Sequence, residues 1–200
     1  MNKSSAAIKA DPKEEIIAAA DEILAKAGAN AATVRAITGL AGVNTASINY
    51  HFGSRDGLFV VVCGRRMQPA NEEILRTLEA LEKRAAPPDP AEIFRPLVET
   101  AFHIWVNDDV LKALRSLLFI SPETADRLNV TQMSEVYDRM RAALIRACPA
   151  LSAQQVRQRF AFSISAIMNQ VYSRDAHLQG IYADSSADEL VAFIAAGFKS

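Results

Sequence analysis

Apolar residues recur along most of the chain at the three- and four-residue spacing of one helical face. The first run includes Ile16, Ala20 and Leu24, and it follows an Asp11-Pro12 pair that is typical of a helix start. Later runs are separated by short breaks at glycine, proline or Asn-Asp, and the alternating pattern of a half-buried strand does not occur. The pattern therefore predicts an all-α protein of about nine helices.

The breaks in the N-terminal part predict three short helices before a long one. Each of the first three ends at a glycine: Gly28, Gly42 and Gly53. The fourth begins after Ser54, a favourable N-cap, and continues to about Arg84. Later helix starts are predicted at Asp89-Pro90, Ser121-Pro122 and Ser152. We therefore expect a three-helix head with a loose N-terminal arm in residues 1–55, and a larger helical body in residues 56–200.

Composition indicates whether the chain can fill a core and how its charges are distributed. Half of the 200 residues are hydrophobic, which is enough to fill a core. The formal net charge is −1, yet residues 1–66 carry eight Lys or Arg against six Asp or Glu, which leaves the remainder at −3. This asymmetry has the sign expected of an N-terminal DNA-binding head.

Cysteine spacing and hydropathy exclude several other classes of protein. Cys63 and Cys148 lack the spacing of metal ligands, so we expect two reduced thiols, with no metal site and no cofactor. The first residues contain no apolar run of signal-peptide length, and no run of about 18 uncharged apolar residues occurs. We therefore expect a cytoplasmic protein that has no membrane partner.

Residues 33–58, TVRAITGLAGVNTASINYHFGSRDGL, have the pattern of a helix-turn-helix. Thr38, a small residue, stands four positions before Gly42, where the two helices must approach closely. Gly42 permits a tight turn, and Val43 and Ile48 fall on the inner side of the next helix. The segment therefore predicts a DNA-binding motif whose third helix faces outward.

The outward side chains of this third helix are short and polar. They are Thr45, Ala46, Asn49 and Tyr50, with Asn44 at the start of the helix, and this surface suits an element that enters the major groove. Asparagine can form two hydrogen bonds to adenine, threonine can bond either base edge, and alanine can touch a thymine methyl group. The residues suited to phosphate are Thr33, Arg35, Tyr50, His51 and Arg55.

The stretch INYHFGSRDGLF makes residues 12–62 resemble the DNA-binding head of the TetR/AcrR repressor family. The resemblance implies that the third helix is the recognition helix and that Tyr50 and His51 occupy phosphate-contacting positions. It also implies that Arg55 takes the place usually held by a phosphate-binding lysine. Two departures are visible, because Thr38 stands where alanine is usual and Asn49 where tyrosine is frequent.

The same resemblance implies that the body binds a small-molecule effector and pairs with a second copy of the chain. The aromatic, methionine and polar residues proposed for an effector pocket are Phe102, His103, Trp105, Phe119, Met133, Tyr137, Met168, Asn169 and Tyr172. For the dimer surface we expect the apolar sides of residues 152–173 and 186–198, including Phe160, Ile164, Val171 and Phe198.

Two other functional classes were weighed against a regulator. An enzyme is disfavoured because the sequence has no nucleophile elbow, no glycine-rich phosphate loop and no HExxH motif. An activator, or a nucleoid-type DNA binder without any effector, shares the same head and stays open at this point. We expect a dimeric, ligand-responsive transcriptional repressor that binds a palindromic double-stranded DNA operator and is released by a small molecule.

Overall fold

The computed structural model describes residues 11–120, 122–173 and 186–199, with ten α-helices and no strand in these ranges. The helices are α1 (Pro12–Ala31), α2 (Val34–Leu40), α3 (Ala46–Phe52), α4 (Arg55–Glu82), α5 (Pro90–Asn107), α6 (Asp109–Ile120), α7 (Pro122–Leu128), α8 (Ser134–Ala147), α9 (Ala153–Ser173) and α10 (Ala187–Ala196). A π-helical segment, Asn129–Met133, joins α7 directly to α8. The predicted all-α fold is confirmed, while the predicted N-terminal arm and Ser121 lie outside the described residues.

Most helix starts follow from caps that the sequence predicts. The side chain of Asp11 accepts a hydrogen bond from Lys13 N, and Ser54 Oγ accepts one from Gly57 N. Asp89 and Glu92 form a reciprocal capping box at the start of α5. These side chains satisfy N–H groups that have no partner within their own helices.

Two helix boundaries differ from the sequence prediction. Gly28 has a φ of +75° and interrupts α1, as expected, but one more helical turn follows to Ala31. The third helix runs over Ala46–Phe52, two residues later than the stretch from about Asn44 to Tyr50 that the sequence pattern predicts. The Asn44 side chain lies just before it and accepts a hydrogen bond from Ala46 N. The long fourth helix ends at Glu82, close to the predicted end.

The head and the body share α4, which leaves the head and continues into the larger helical layer. In the head, Ile16 and Leu24 of α1, Ile37 of α2, Ile48 of α3 and Leu58 of α4 are fully or almost fully buried. Full burial of a side chain of this size contributes about 1.5–3 kcal/mol to folding. The head is therefore held by its own apolar contacts as well as by its attachment to the body.

The core of the body is organised around α5. Phe94 of α5 is fully buried, with its ring centroid 6.0 Å from that of Phe160 in α9 and 5.4 Å from that of Phe198 near the C-terminal end. Helices α4, α6, α8, α9 and α10 all contact α5. Within the described residues, no helix is long and apolar enough to cross a membrane.

Candidate nucleic-acid interface

The turn between α2 and α3 is closed by its own backbone and by one buried hydroxyl group. The backbone nitrogen of Val43 donates to the carbonyl of Thr38 at 3.0 Å, and Gly42 has a φ of +66°. The Thr38 hydroxyl donates to the carbonyl of Val34 at 2.8 Å. The hydroxyl at this buried position is therefore hydrogen-bonded, which explains how the chain accommodates threonine there.

Helix α3 is anchored on one side and exposed on the other. Ile48 and Phe52 are buried against the head, whereas the outward residues Thr45, Ala46, Asn49 and Tyr50 are exposed. Tyr50 is 85% exposed, which is an unusual position for a large aromatic side chain. The outer side of α3 therefore presents mainly short side chains to solvent, with the ring of Tyr50 near the C-terminal end of the helix.

Asn44 is exposed, and its side chain also stabilises the start of α3. Its Oδ1 accepts a hydrogen bond from Ala46 N at 2.9 Å, which caps α3. The same oxygen lies 3.5 Å from Thr45 Oγ1. Asn44 therefore fixes the first turn of α3, and a base contact from this residue has to use its amide nitrogen.

The residues predicted for phosphate lie in the last turn of α3 and on the elements that flank it. Thr33 caps α2 by accepting a hydrogen bond from Ala36 N at 3.2 Å, and Arg35 is exposed in the first turn of the same helix. His51 is half-buried, with its ring edge against Tyr50 at a centroid distance of 4.9 Å.

Arg55 stands at the first position of α4, where the helix leaves the head. Its guanidinium carbon lies 5.3 Å from the ring centroid of Phe59, and its Nε lies 3.8 Å from Asp56 Oδ1. The ring supports the guanidinium from one side, while the ion pair is long and exposed and therefore weak. All nine predicted contact residues thus lie on α2, α3, the turn between them and the first turn of α4.

Sequence comparisons place both parts of the chain in one family. The profile of bacterial regulatory proteins of the tetR family matches residues 16–62. A second profile, for the tetracyclin repressor-like C-terminal domain, matches residues 109–197. The chain belongs to the TetR family of bacterial regulatory proteins.

One curated relative of this TetR-family chain is the HTH-type transcriptional repressor BepR of Brucella suis biovar 1 (strain 1330). The two sequences are 25% identical over 132 residues, which cover 66% of this chain and 58% of BepR. The aligned region thus spans less than two thirds of the relative.

Solved structures share the fold over nearly the whole chain. The fatty acid degradation regulator FadR from Bacillus halodurans aligns with a TM-score of 0.61 and 17% identity, covering 93% of this chain and 99% of that one. RolR in complex with resorcinol aligns with a TM-score of 0.62 and 17% identity, covering 92% of each chain. The multidrug binding protein EbrR, complexed with imidazole, aligns with a TM-score of 0.57 and 18% identity, covering 95% and 96%.

The residues predicted for an effector pocket are distributed over different environments of this TetR-family body. Trp105 and Met133 are buried, and Phe102, Tyr137 and Met168 are half-buried. His103 and Asn169 are exposed, and His103 Nδ1 lies 3.1 Å from the side-chain nitrogen of Asn107. The side chains of Phe119 and Tyr172 lie outside the described part of the chain.

Two buried polar residues of the helical body were not identified from the sequence as candidate functional residues. Arg115 of α6 is buried, and its Nη1 donates to the carbonyl of Val171 at 3.2 Å. Asn71 of α4 is buried against the π-helical segment. Both occur in runs with helical periodicity, so no local sequence signal separates them from surface positions.

The exposed apolar face of the body differs from the predicted one. Phe160, Val171 and Phe198 are buried inside the chain, and Ile164 is half-buried, so the expectation that they form an exposed dimer surface was wrong. Phe160 and Val171 point inward with Val156 and Ile167, at helical spacing on one side of α9.

Two other aromatic residues of α9 and α10 are exposed instead. Phe162 is 73% exposed and Phe193 is 72% exposed. Both line a surface cleft of about 330 Å³ that also includes Arg159 and Ile194. We call this face, defined by Phe162 and Phe193, the α9–α10 face.

Proposed function

We propose that this protein is a dimeric, ligand-responsive transcriptional repressor whose α3 helices enter the major groove of a palindromic operator. The observation that carries the proposal is the division of α3 into a buried side, with Ile48 and Phe52, and an exposed polar side. An exposed helix with short polar groups fits the width of the major groove.

We propose separate sets of residues for contacts to base edges and for contacts to phosphates. Thr45, Ala46 and Asn49 project from α3 and are proposed to read base edges, with Asn44 at the start of the helix and Tyr50 at its far end. The side chains proposed to contact phosphates are Thr33, Arg35, Tyr50, His51 and Arg55. Phosphate contacts fix the register of the head and give the affinity its dependence on salt.

The α9–α10 face is proposed to bind the same face of a second copy. Large exposed aromatic side chains on adjacent helices are costly in water and are enriched in interfaces. A two-fold axis through this face doubles the number of recognition helices and requires a palindromic operator.

Residues 56–200 are proposed to bind the effector, and residues 1–55 to bind DNA. RolR and EbrR, which share the fold, are described in complex with resorcinol and imidazole respectively, and both are small organic molecules. By analogy, a small organic effector is proposed for this chain, with the pocket drawn from Trp105, Met133, Tyr137 and their predicted neighbours. BepR is described as a repressor, which favours repression over activation here.

Selection of DNA from a random-sequence library tests this function. The full chain is expected to enrich one palindromic sequence whose half-sites are spaced by about one helical turn or a small multiple. A variant with Asn49→Ala is selected in parallel, because it changes one exposed side chain of α3, and it is expected to enrich a palindrome altered at one base-pair position in each half-site. Recovery of DNA without any shared sequence would contradict the proposal and favour a nucleoid-type binder.

A further inference from the structure

The π-helical segment Asn129–Met133 lies against α4, the helix that joins the head to the body. A π turn is wider than an α turn, is rare, and is frequently found at functional sites. The carbonyl of Gln132 in this segment accepts a hydrogen bond from Asn71 Nδ2 at 2.9 Å. Asn71 is only 9% exposed, so a buried polar side chain of α4 is committed to holding the π segment.

Gly64 makes room for the side chain of the same π-helical residue. A Cβ atom on Gly64 would overlap the carboxamide of Gln132 and would lie 2.7 Å from its Nε2. Gly64 and Asn71 are seven residues apart, which is close to two turns, so they share one side of α4. Gln132 therefore contacts α4 at two points. Its side chain packs against Gly64, and its carbonyl accepts the hydrogen bond from Asn71.

Gly57 continues the same side of α4 towards the head. A Cβ atom there would overlap the carbonyl of Phe52, the last residue of α3, and would lie 3.2 Å from Arg127 Nη2 in α7. Helix α7 therefore reaches the junction between α3 and α4. Together, α7 and the π segment form a strut along the half of α4 that carries the head.

We infer that this strut positions the head for operator binding and passes the state of the body to it through the close packing of the π segment against α4 at Gly64 and Asn71. The inference rests on the proposed function and adds the residues through which regulation acts. A change in the body that rewinds the π turn into α geometry removes one residue from that turn and rotates α7 by about 100°. Such a rotation takes Gln132 and Arg127 away from α4, and the head loses the support of the strut, while α1 keeps its contact with α6.

A wedge between α4 and the π segment tests the inference without any effector. Gly64→Leu adds a side chain where the Gln132 carboxamide lies, while leucine is a better helix former than glycine. The expected result is a loss of about tenfold or more in affinity for the selected operator, with affinity for random DNA unchanged. Adding Gln132→Ala to Gly64→Leu removes the carboxamide, so the double variant is expected to recover most of the operator affinity.

Gly64→Ala is the matched control for bulk and helix propensity. Its single methyl group meets only the flexible end of Gln132, which can swing aside, so operator affinity is expected to stay near that of the wild type. Asn71→Ala provides a second route if Gly64→Leu does not fold, because it removes the hydrogen bond to the Gln132 carbonyl and adds no bulk. Asn71→Ala is expected to lower operator affinity, as Gly64→Leu does.

Three results would overturn the inference. They are full operator affinity in a folded Gly64→Leu variant, an equal loss in the Gly64→Leu/Gln132→Ala variant, or full operator affinity in Asn71→Ala when the wedge cannot be measured. Failure of the wild-type chain to select any operator is a different result, and it removes the proposed function together with this inference.

Discussion

Neighbouring residues of α3 separate folding from recognition. Ile48 is fully buried in the head, while Asn49 beside it is exposed. A substitution at Ile48 therefore changes the stability of the whole head, whereas a substitution at Asn49 changes only what α3 presents to DNA. This division makes the outward residues suitable for tests of sequence preference.

Asn49→Ala is expected to change operator preference at one base-pair position, at a cost of about 1–3 kcal/mol there. The reason is that the side-chain amide can form two hydrogen bonds to one base, which alanine cannot replace. Competition binding against operators with single base-pair changes measures the effect. An equal loss on every sequence would show that Asn49 makes no base contact.

Arg55→Ala is expected to weaken binding to operator and random DNA alike, and to reduce the dependence of log affinity on log salt by about one unit. The guanidinium stands at the start of α4 and is supported by the ring of Phe59. Arg76→Ala, which removes an exposed arginine from the same helix far from the head, is the control. An unchanged salt dependence would take Arg55 out of the contact set.

Cys63 gives a pH dependence whose sign follows from its burial. Burial raises the pKa of the Cys63 thiol to about 12, from an ordinary value of 9.0. Between these two values the unfolded chain loses the thiol proton and the folded chain keeps it, so the free energy of unfolding falls as pH rises from 9 towards 12. Urea titrations should show that the difference between the wild type and Cys63→Ala is constant below pH 8 and changes above pH 9; a constant difference up to pH 11 would contradict this.

At the scale of the element, the sequence predicts where a helix begins and ends better than it predicts which of its faces is buried. Asp11, Ser54 and Asp89 were identifiable as caps because their side chains act on the backbone of the next few residues. The turn at Gly42 was identifiable for the same local reason. Local chemistry therefore predicted the head in some detail.

Elements whose form depends on distant neighbours could not be predicted. The π segment follows from its contacts with Gly64 and Asn71, more than 60 positions away along the chain. Phe160 and Phe162 are both aromatic and stand two positions apart on α9, so periodicity alone did not show which of them points inward. The neighbours Phe94 of α5 and Tyr137 of α8 decide that question, because their rings contact Phe160 from other helices.

The C-terminal end of α4 offers a prediction at this scale. Arg146 of α8 donates to the carbonyls of Leu81 at 2.7 Å and Glu82 at 3.1 Å, in the last turn of α4, where the helix itself no longer supplies donors. The Leu81 carbonyl also accepts a hydrogen bond from Arg84 N at 3.3 Å. Arg146→Ala is expected to lower the free energy of unfolding by about 1–2 kcal/mol. Urea titration measures it, with Arg157→Ala on the exposed side of α9 as the control; equal effects of the two variants would show that Arg146 does not cap α4.

At the scale of the whole molecule, one short recognition helix reads too few base pairs to find a single site in a genome. The proposed pairing through the α9–α10 face would supply the second helix and leave the internal core around Phe160 untouched. In the proposed dimer, a ligand that favours another spacing of the two heads would shift the population away from the operator-binding form. The proposed repression and its release would therefore both depend on the dimer.

The number of chains on one operator duplex tests this dimer most directly, by sedimentation velocity with a labelled duplex of the selected sequence. The wild type is expected to place two chains on each duplex, and Phe162→Glu combined with Phe193→Glu to give a folded monomer that keeps only weak, non-specific binding. Phe162→Tyr is the control, because it keeps the ring. One wild-type chain on each operator duplex would contradict the dimer and the mechanism of release that depends on it.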